Sequence, residues 1–308
     1  MLAFSKIGLL GRLANPGVAD TVRLLIDELS RRDGLELTID ESLASLVEDG
    51  SLRVARREQL GRYCDLVIVV GGDGSLLKVA PTLADQDLPV VGINRGTLGF
   101  LTDILPEEIE SHVGAVLGGR FQIESRFLLD IHAQHEGDQL SLGSALNDVV
   151  LHPGIAAQMI EFELYIDGEF VYNQASDGLI VATPTGSTAY SMSAGGPIMH
   201  PTLNAVVLVP MYPHSLSSRP IVINADSEIT LVVGNRHSIM PQVSCDGSVV
   251  LTTSPGDLIT IRKKSRRLRL VHPADYNYYE TCRSKLGWSS RLGRPQRTLD
   301  QDTLDQDN

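Results

Sequence analysis

The sequence predicts two domains, an N-terminal α/β domain followed by a mainly antiparallel β domain. Three observations lead to this prediction. The chain has 308 residues, which is enough for two hydrophobic cores. Its first hundred residues alternate between strand-like apolar runs and helix-like periodicity, as in a parallel sheet covered by helices. Beyond Arg120, short β-like runs are separated by Gly, Pro, Asn and Asp, which favours antiparallel strands.

Composition and charge exclude several classes of protein. Acidic residues outnumber basic ones by 38 to 26, and the resulting net charge of −12 would repel a polyanion such as nucleic acid. A smaller anion would have to be neutralised locally, by backbone amides, a helix N-terminus or a cation. No apolar run approaches the roughly 18 residues of a membrane span, so no membrane association is expected. The 3 cysteines are widely spaced and odd in number, which argues against disulfides and predicts a cytoplasmic protein.

The elements of the first domain are predicted in the order strand, helix, strand, strand, helix, strand, helix. Asn15-Pro16 is predicted to begin the first helix, because proline is favoured at the first helical position. Pro81 is expected to end or kink the second helix. The predicted strands are 6–10, 35–39, 65–70 and 90–93, and the last helix is 106–117. The strand 65–70 is almost purely apolar, as expected for a strand buried on both faces.

The second domain is predicted to contain shorter strands, which include 127–133, 159–166, 229–233 and 258–262. Six basic residues between Arg262 and Arg269 are predicted to form a solvated hairpin rather than a phosphate or nucleic-acid patch, because no aromatic residues are interleaved with them. The segment 276–286 is predicted to be helical or irregular. We therefore expect an α/β domain over 1–119, a β-rich domain over 120–275, a segment over 276–293 that packs back on the fold, and a disordered acidic tail over 294–308.

Glycines surround a single aspartate where the strand 65–70 meets a helix. The carboxyl edge of a parallel sheet is where open α/β proteins bind ligands, and glycines let a phosphate approach the backbone closely. We therefore predict a phosphate loop made of Gly71, Gly72, Gly74 and Ser75. Asp73 could accept a proton from a substrate hydroxyl or hold a Mg²⁺ that bridges phosphates. The alternative is an aspartate that satisfies its own turn.

Two further segments favour contact with a ligand. From Asp177 to Ser191, an apolar strand runs into Pro184-Thr185-Gly186, which is expected to form a tight turn that exposes amides and hydroxyls. Asn147-Asp148 offers an amide that suits a purine edge and a carboxylate that can accept from both hydroxyls of a ribose. The alternatives are an ordinary strand-to-helix turn with hydroxyl caps and a common turn dipeptide.

Together these motifs resemble those of bacterial NAD kinases, which phosphorylate NAD to NADP. The resemblance runs from about Ile7 to Leu292 and also rests on the segments 92–103, 147–153 and Ser244-Cys245-Asp246-Gly247. The motifs of P-loop NTPases, hydride-transferring Rossmann enzymes and protein kinases are missing from the sequence. The resemblance implies a Rossmann-like α/β domain, related to those of phosphofructokinases and diacylglycerol kinases, with NAD bound between it and a β-rich domain.

The resemblance also implies roles for particular residues. Asp73 would accept the proton of the 2′-hydroxyl of the adenosine ribose with Gly74 beside it, and Phe100 would line the adenine pocket. The other implied NAD-binding residues are Asn147, Asp148, Gln158, Ala175, Asp177, Thr188, Ala189, Tyr190, Ser191, Met192 and Ser193. Part of this set would come from a neighbouring subunit of a homodimer or homotetramer. ATP would be the donor, with a divalent metal ion, Mg²⁺, on its phosphates.

Other functions remain open at this point. The same kind of kinase domain could act on a lipid or sugar alcohol, although Asn147-Asp148 and the segment 183–191 argue against such an acceptor. A non-catalytic NAD(P) sensor is a further alternative, which the intact Asp73 disfavours. Many members of the family have Asn-Glu at 147–148 and a basic residue at Ala175. The sequence leaves open the choice between NAD and NADH, the choice between ATP and polyphosphate, and feedback by NADP or NADPH.

Overall fold

The computed structural model describes residues 2–15, 17–48, 50–96, 99–154, 158–235 and 240–288. The N-terminal part contains β1 (Lys6–Gly11), α1 (Val18–Ser30), β2 (Glu36–Asp40), β3 (Arg53–Ala55), β4 (Leu66–Gly71), α2 (Asp73–Asp85), β5 (Pro89–Asn94) and α3 (Ile109–Leu117). The remainder contains β6 (Phe121–His135), β7 (Asp138–Ala145), β8 (Asp148–His152), β9 (Ile160–Ile166), β10 (Glu169–Ser176), β11 (Gly178–Ala182), α4 (Tyr190–Ser193), β12 (Ala205–Met211), β13 (Ile221–Asn224), β14 (Ile229–Val233), β15 (Gln242–Cys245), β16 (Ser248–Thr252), β17 (Leu258–Pro273) and α5 (Tyr278–Leu286).

A parallel sheet forms the centre of the N-terminal part, with the strand order β5-β4-β1-β2-β3. Every residue of β4 and β5 is buried, as the apolar run 65–70 predicts. α1 packs with Ile68 and α2 with Val67 and Val69. Because alternate residues of a strand point to opposite faces, the two helices cover opposite faces of the sheet. The carboxyl ends of β4 and β5 therefore emerge between two helical layers.

The structure differs from the predicted start of α1, and Pro81 does not end α2. α1 does not begin at Asn15-Pro16, whose proline lies outside the described residues, but at Val18. Gly17 precedes it in the left-handed conformation, with φ 72°, so the regular helix cannot start earlier. Pro81 lies inside α2 rather than at its end. The helix continues because the fully buried Leu83 holds its last turn against the sheet.

The C-terminal part forms two packed β layers. The parallel sheet continues through β17, β14, β9 and β10, and with β6 and β7 it becomes an 11-stranded sheet. A second, six-stranded antiparallel sheet has the order β13-β12-β11-β8-β15-β16. Phe162 and Leu231 of the larger sheet share one core with Leu151 and Val181 of the smaller. The predicted fold class, α/β followed by mainly antiparallel β, is confirmed.

The basic segment 262–269 lies within β17, so the predicted hairpin is wrong. β17 pairs with β6 on one side, with one register shift, and with β14 and then β5 on the other. Acidic partners neutralise its cations: Lys263 lies 2.8 Å from Asp226, and Lys264 lies 3.1 Å from Asp130. These partners are 37 and 134 residues away along the chain, so the local pattern did not reveal them.

The C-terminal helix packs back on the fold. The prediction of a helix within 276–286 is confirmed by α5, whose Tyr278 and Cys282 are 8% and 0% exposed. The predicted tail over 294–308 lies outside the described residues. All three cysteines are free and buried, in agreement with the expectation of no disulfide. Within the described ranges, no helix has both the length and the apolar character needed to cross a bilayer.

Candidate active site

The glycine motif forms the junction between β4 and α2. A Cβ on Gly71 would lie 2.3 Å from Ser75 Oγ, so only glycine fits there. A Cβ on Gly72 or Gly74 would meet no protein atom within 4 Å, which leaves open space beside both residues. No side chain caps the N-terminus of α2. Its first amides are therefore left for water or for an anionic ligand, as the predicted phosphate loop requires.

The Asp73 carboxylate is held by the loop that follows β5. Oδ2 accepts a hydrogen bond from the Phe100 amide at 2.8 Å, and Oδ1 accepts from the Leu101 amide at 3.1 Å and from Thr102 Oγ1 at 3.0 Å. A Cβ on Gly99 would lie 1.9 Å from Oδ1, so glycine is needed at that position as well. Because these donors lie 27 to 29 residues away, Asp73 is not an aspartate that satisfies its own turn. The loop instead fixes the carboxylate beside the open space of the glycines.

Two adjoining clefts flank this junction. The Asp73 cleft, of about 480 Å³, is lined by Asp73 and by residues of the loops after β1, β4 and β5, with one lysine from α5. The basic cleft, of about 570 Å³, contains Arg12, Arg57 and Lys78. None of these three has an acidic partner among the described residues, which makes this cleft locally positive in a chain of net charge −12. The sequence analysis missed these three cations, because they lie in different elements without a motif.

A third cleft, the carboxylate cleft, has a volume of about 560 Å³ and brings five predicted site residues together. They are Asn147, Asp148, Asp177, Ala189 and Tyr190. The tight turn after β11 packs directly on Asn147, since a Cβ on Gly186 would lie 2.2 Å from the Asn147 carbonyl oxygen. The two segments that the sequence analysis singled out separately are therefore one structure.

Asp148 faces a second, half-buried carboxylate, that of Asp246, to which the sequence analysis assigned no role. Asp246 Oδ1 and Oδ2 accept hydrogen bonds from the amides of Leu146, Asn147 and Asp148 at 2.8 to 3.2 Å. Burial, with the charge of Asp246 added, raises the pKa of Asp148 to about 7. Burial also raises the pKa of Asp246, against the lowering effect of the three amides. The Asp-Gly dipeptide could have indicated a turn, but not this partner about 100 residues away.

The remaining predicted residues do not line the carboxylate cleft. Gln158 is exposed, and Ala175 lines a separate cleft of about 500 Å³ beside His214. Thr188 and Met192 are half-buried and Ser193 is exposed. Ser191 is fully buried, and its Oγ has no hydrogen-bond partner among the described residues. Phe100 is half-buried with its ring 6.5 Å from that of Tyr278.

A buried ionic network connects the Asp73 loop with the turn after β11. His272 Nδ1 lies 2.7 Å from Asp103 Oδ2, and its Nε2 lies 3.6 Å from Glu124. Glu124 also pairs with Arg126, which is 3% exposed and donates to Thr185 Oγ1 at 3.2 Å. Burial disfavours the charged forms of both groups, but the hydrogen bonds and opposite charges outweigh it. The pKa of Glu124 is therefore lowered to about 2, and the pKa of His272 is raised. The network fixes both loops in one arrangement.

Comparisons with known proteins show which family this chain resembles. Residues 7–121 match the model described as the ATP-NAD kinase N-terminal domain, and residues 146–273 match the ATP-NAD kinase C-terminal domain. The NAD kinase of Azotobacter vinelandii is 58% identical over 290 residues, which cover 94% of this chain and 98% of that protein. The NAD kinase of Pseudomonas fluorescens is 57% identical over the same shares.

Two solved structures have a similar fold. Yeast NADH kinase complexed with NADH superposes with a TM-score of 0.85 and 24% identity, over 94% of this chain and 90% of that chain. An NAD kinase from Archaeoglobus fulgidus in complex with ATP superposes with a TM-score of 0.69 and 25% identity, over 90% and 98%. The two-layered arrangement described above is thus one that solved proteins share.

Proposed function

This chain belongs to the NAD kinase family, and on that premise we propose how its clefts carry out the reaction. It is an enzyme that phosphorylates NAD to NADP. The family favours this activity over a lipid or sugar kinase and over a non-catalytic sensor. The assignments of residues, metal and subunits that follow are proposals, each with the feature that supports it.

Asp73 accepts the proton of the ribose 2′-hydroxyl. The observation that carries this proposal is the three-donor cradle from the loop 99–102, which holds the carboxylate beside the open phosphate loop. Oδ2 accepts one hydrogen bond and has room for another, so it can accept from a substrate hydroxyl. Phosphoryl transfer depends mainly on positioning and charge, and a fixed carboxylate supplies the position.

The donor ATP binds with its phosphates against the N-terminus of α2 and extends into the basic cleft. Arg12, Arg57 and Lys78 supply the positive charge that a triphosphate needs there. This local charge explains how a chain of net charge −12 can bind a polyanionic nucleotide.

The dinucleotide binds across the Asp73 cleft and the carboxylate cleft. Asn147 and Asp148 contact its base or ribose, and Asp177, Ala189 and Tyr190 complete this wall. Phe100 and the segment Thr188 to Ser193 lie at the adenine side of the site. The hydroxyls of a ribose suit Asp148 in its ionised form, because a carboxylate can accept from both.

A divalent metal ion, Mg²⁺, accompanies ATP. Mg²⁺ prefers oxygen ligands and is usually held by one or two carboxylates together with substrate phosphates. Asp73 is the carboxylate that lines the Asp73 cleft, and its oxygens fit such a role. When bound, the ion would neutralise charge on the phosphates.

The enzyme works in the cytoplasm as a homodimer or homotetramer. Three buried free thiols suit a reducing compartment. Gln158 and Ala175 lie away from the carboxylate cleft, and a neighbouring copy would bring them to a dinucleotide. Light scattering on the purified protein tests this point, and a monomer at all concentrations would contradict it.

A coupled assay for NADP tests the central proposal. Purified protein is given ATP and Mg²⁺ with NAD, NADH, diacylglycerol or fructose 6-phosphate, and NAD is expected to be phosphorylated. Asp73→Asn should lower kcat by roughly 10² to 10⁴ while the Kd for NAD changes little. The control is Asp20→Asn, which removes an exposed carboxylate from the first turn of α1. Turnover by Asp73→Asn at the level of the control would refute the assignment.

A further inference from the structure

The C-terminal helix brings a lysine into the Asp73 cleft. α5 begins after Asn277, whose side chain caps it by accepting from the Glu280 amide at 3.1 Å. Its buried residues are Tyr278, Thr281 and Cys282. Lys285 follows the last two at spacings of four and three, so it lies on the same buried face. This spacing explains how a residue of the last helix reaches the cleft that contains Asp73.

Contacts on both sides fix α5 next to the site. The Tyr278 hydroxyl donates to the Met199 carbonyl at 3.4 Å, and its ring lies 5.0 Å from the His200 ring. The same ring lies 6.5 Å from Phe100, whose amide holds the Asp73 carboxylate. The helix that carries Lys285 therefore rests against the loop that positions Asp73.

Two cations in the Asp73 cleft lack an acidic partner. Lys285 and Arg95 both line the cleft, and neither side chain makes an ion pair or a hydrogen bond within the described part of the chain. The Arg95 side chain packs over Gly17, where a Cβ would lie 1.7 Å from Nη2. Arg95 is exposed and Lys285 is half-buried, whereas the half-buried Lys264 is matched by Asp85 and Asp130. Two unmatched cations beside a phosphate loop indicate an anionic ligand.

We propose that Lys285, assisted by Arg95, binds the phosphates of the donor and neutralises the phosphoryl group during transfer. The inference rests on the proposed function. The ribose oxygen forms its bond to the γ-phosphorus as the bond to ADP breaks, the hydroxyl proton goes to Asp73, and ADP leaves with the electron pair. Negative charge then collects next to a carboxylate. Lys285 offsets the repulsion between the phosphoryl group and the Asp73 carboxylate. Because its charge is already fixed in the cleft, no rearrangement of the protein is needed during the transfer.

The test compares Lys285→Met and Lys285→Arg with Arg283→Met. Arg283 lies in the same last turn of α5 and is exposed, so its loss removes the same favourable charge from the helix C-terminus without affecting the cleft. The measurements are kcat, KM for ATP, KM for NAD, ATP affinity by calorimetry, and thermal unfolding.

Lys285→Met should lower kcat/KM for ATP by roughly 10² to 10³, the loss typical of one preorganised charge-stabilising donor. Lys285→Arg should recover most of this loss, while Arg283→Met behaves as the wild type. KM for NAD should stay within a few-fold in all three variants. Rising salt should weaken ATP binding less in Lys285→Met than in the wild type.

Some outcomes overturn the inference. One is a kcat/KM for ATP in Lys285→Met that equals that of Arg283→Met. Another is an equal loss of kcat/KM in both variants together with lowered unfolding temperatures, because this result would indicate a role in helix stability alone. If Lys285→Met does not fold, Lys285→Gln takes its place: a folded Lys285→Gln with the kcat/KM for ATP of the wild type would also overturn the inference. If the wild type forms no NADP, the proposed function fails, and unaltered ATP affinity in Lys285→Met then separately refutes the role of this lysine.

Discussion

Replacing Asp148 with asparagine should change how the stability of the enzyme depends on pH. Asp148 is 5% exposed and faces the half-buried Asp246. Burial and the neighbouring charge raise its pKa from 3.8 to about 7 in the folded protein. In the unfolded chain the pKa of Asp148 returns to 3.8, so at pH values between the two pKa values the folded state binds one more proton than the unfolded state. Because the folded state holds more protons, its stability falls as pH rises through this window.

The size of the effect follows from the pKa difference. Raising the pKa from 3.8 to about 7 corresponds to about 4 kcal/mol between fully protonated and fully ionised conditions. Between pH 5 and pH 8 the linkage relation gives a loss of about 2 to 3 kcal/mol from this one group. Asparagine has a similar shape and cannot ionise. Asp148→Asn should therefore escape the loss and also relieve the repulsion on Asp246.

Urea unfolding at pH 5, 6, 7 and 8 measures this difference, with the exposed Asp20→Asn as control. The free energy of unfolding of the wild type should fall by about 2 to 3 kcal/mol relative to Asp148→Asn as pH rises, while the control follows the wild type. A gap between wild type and Asp148→Asn that stays constant with pH would refute the reasoning. In the same samples, KM for NAD should fall from pH 6 to pH 8 in the wild type, because the ionised carboxylate accepts from ribose hydroxyls. Asp148→Asn should have a higher KM without that trend.

Three further substitutions test the geometry of the site. Gly99→Ala would place a Cβ 1.9 Å from Asp73 Oδ1, so kcat should fall by an order of magnitude or more, as turnover assays can measure. In Gly74→Ala the new methyl group meets no protein atom and lies in a helix, so the free energy of unfolding should be unchanged or higher by about 0.5 to 1 kcal/mol. KM for ATP should rise, because the methyl group occupies space that the ligand needs. A lower unfolding temperature would contradict that reasoning. Arg126→Met removes one of the two cationic partners of the half-buried Glu124, His272 being the other, and should lower the free energy of unfolding in urea by about 1 to 3 kcal/mol. A loss below 1 kcal/mol would mean that the network is not a structural link.

The local patterns of the sequence were sufficient for much of the fold. Alternating apolar runs located β1, β4 and β5, because burial on one or both faces has a direct signature in composition. The helical spacing of Val18, Val22, Leu25 and Leu29 identified the buried face of α1. The glycine motif located the loop at the end of β4 that we propose binds phosphate, since the conformational freedom of glycine is also a local property. The continuation of α2 beyond Pro81 was less well predicted, because Leu83, which holds its last turn, packs on residues that are distant in the chain.

By itself the sequence determined the class of fold, the family and the segments that we propose bind a nucleotide. Only the tertiary structure decided which charges stand opposite one another: the amides of loop 99–102 around Asp73, Asp246 beneath Asp148, and Lys285 in the Asp73 cleft. The basic segment 262–269 lies in the middle of β17, where acidic residues from distant elements pair with its lysines. The physical reason is range. Backbone preference and burial act over a few neighbouring residues, whereas an ion pair or a shared cavity joins groups up to about 200 positions apart, whose approach exists only once the chain has folded.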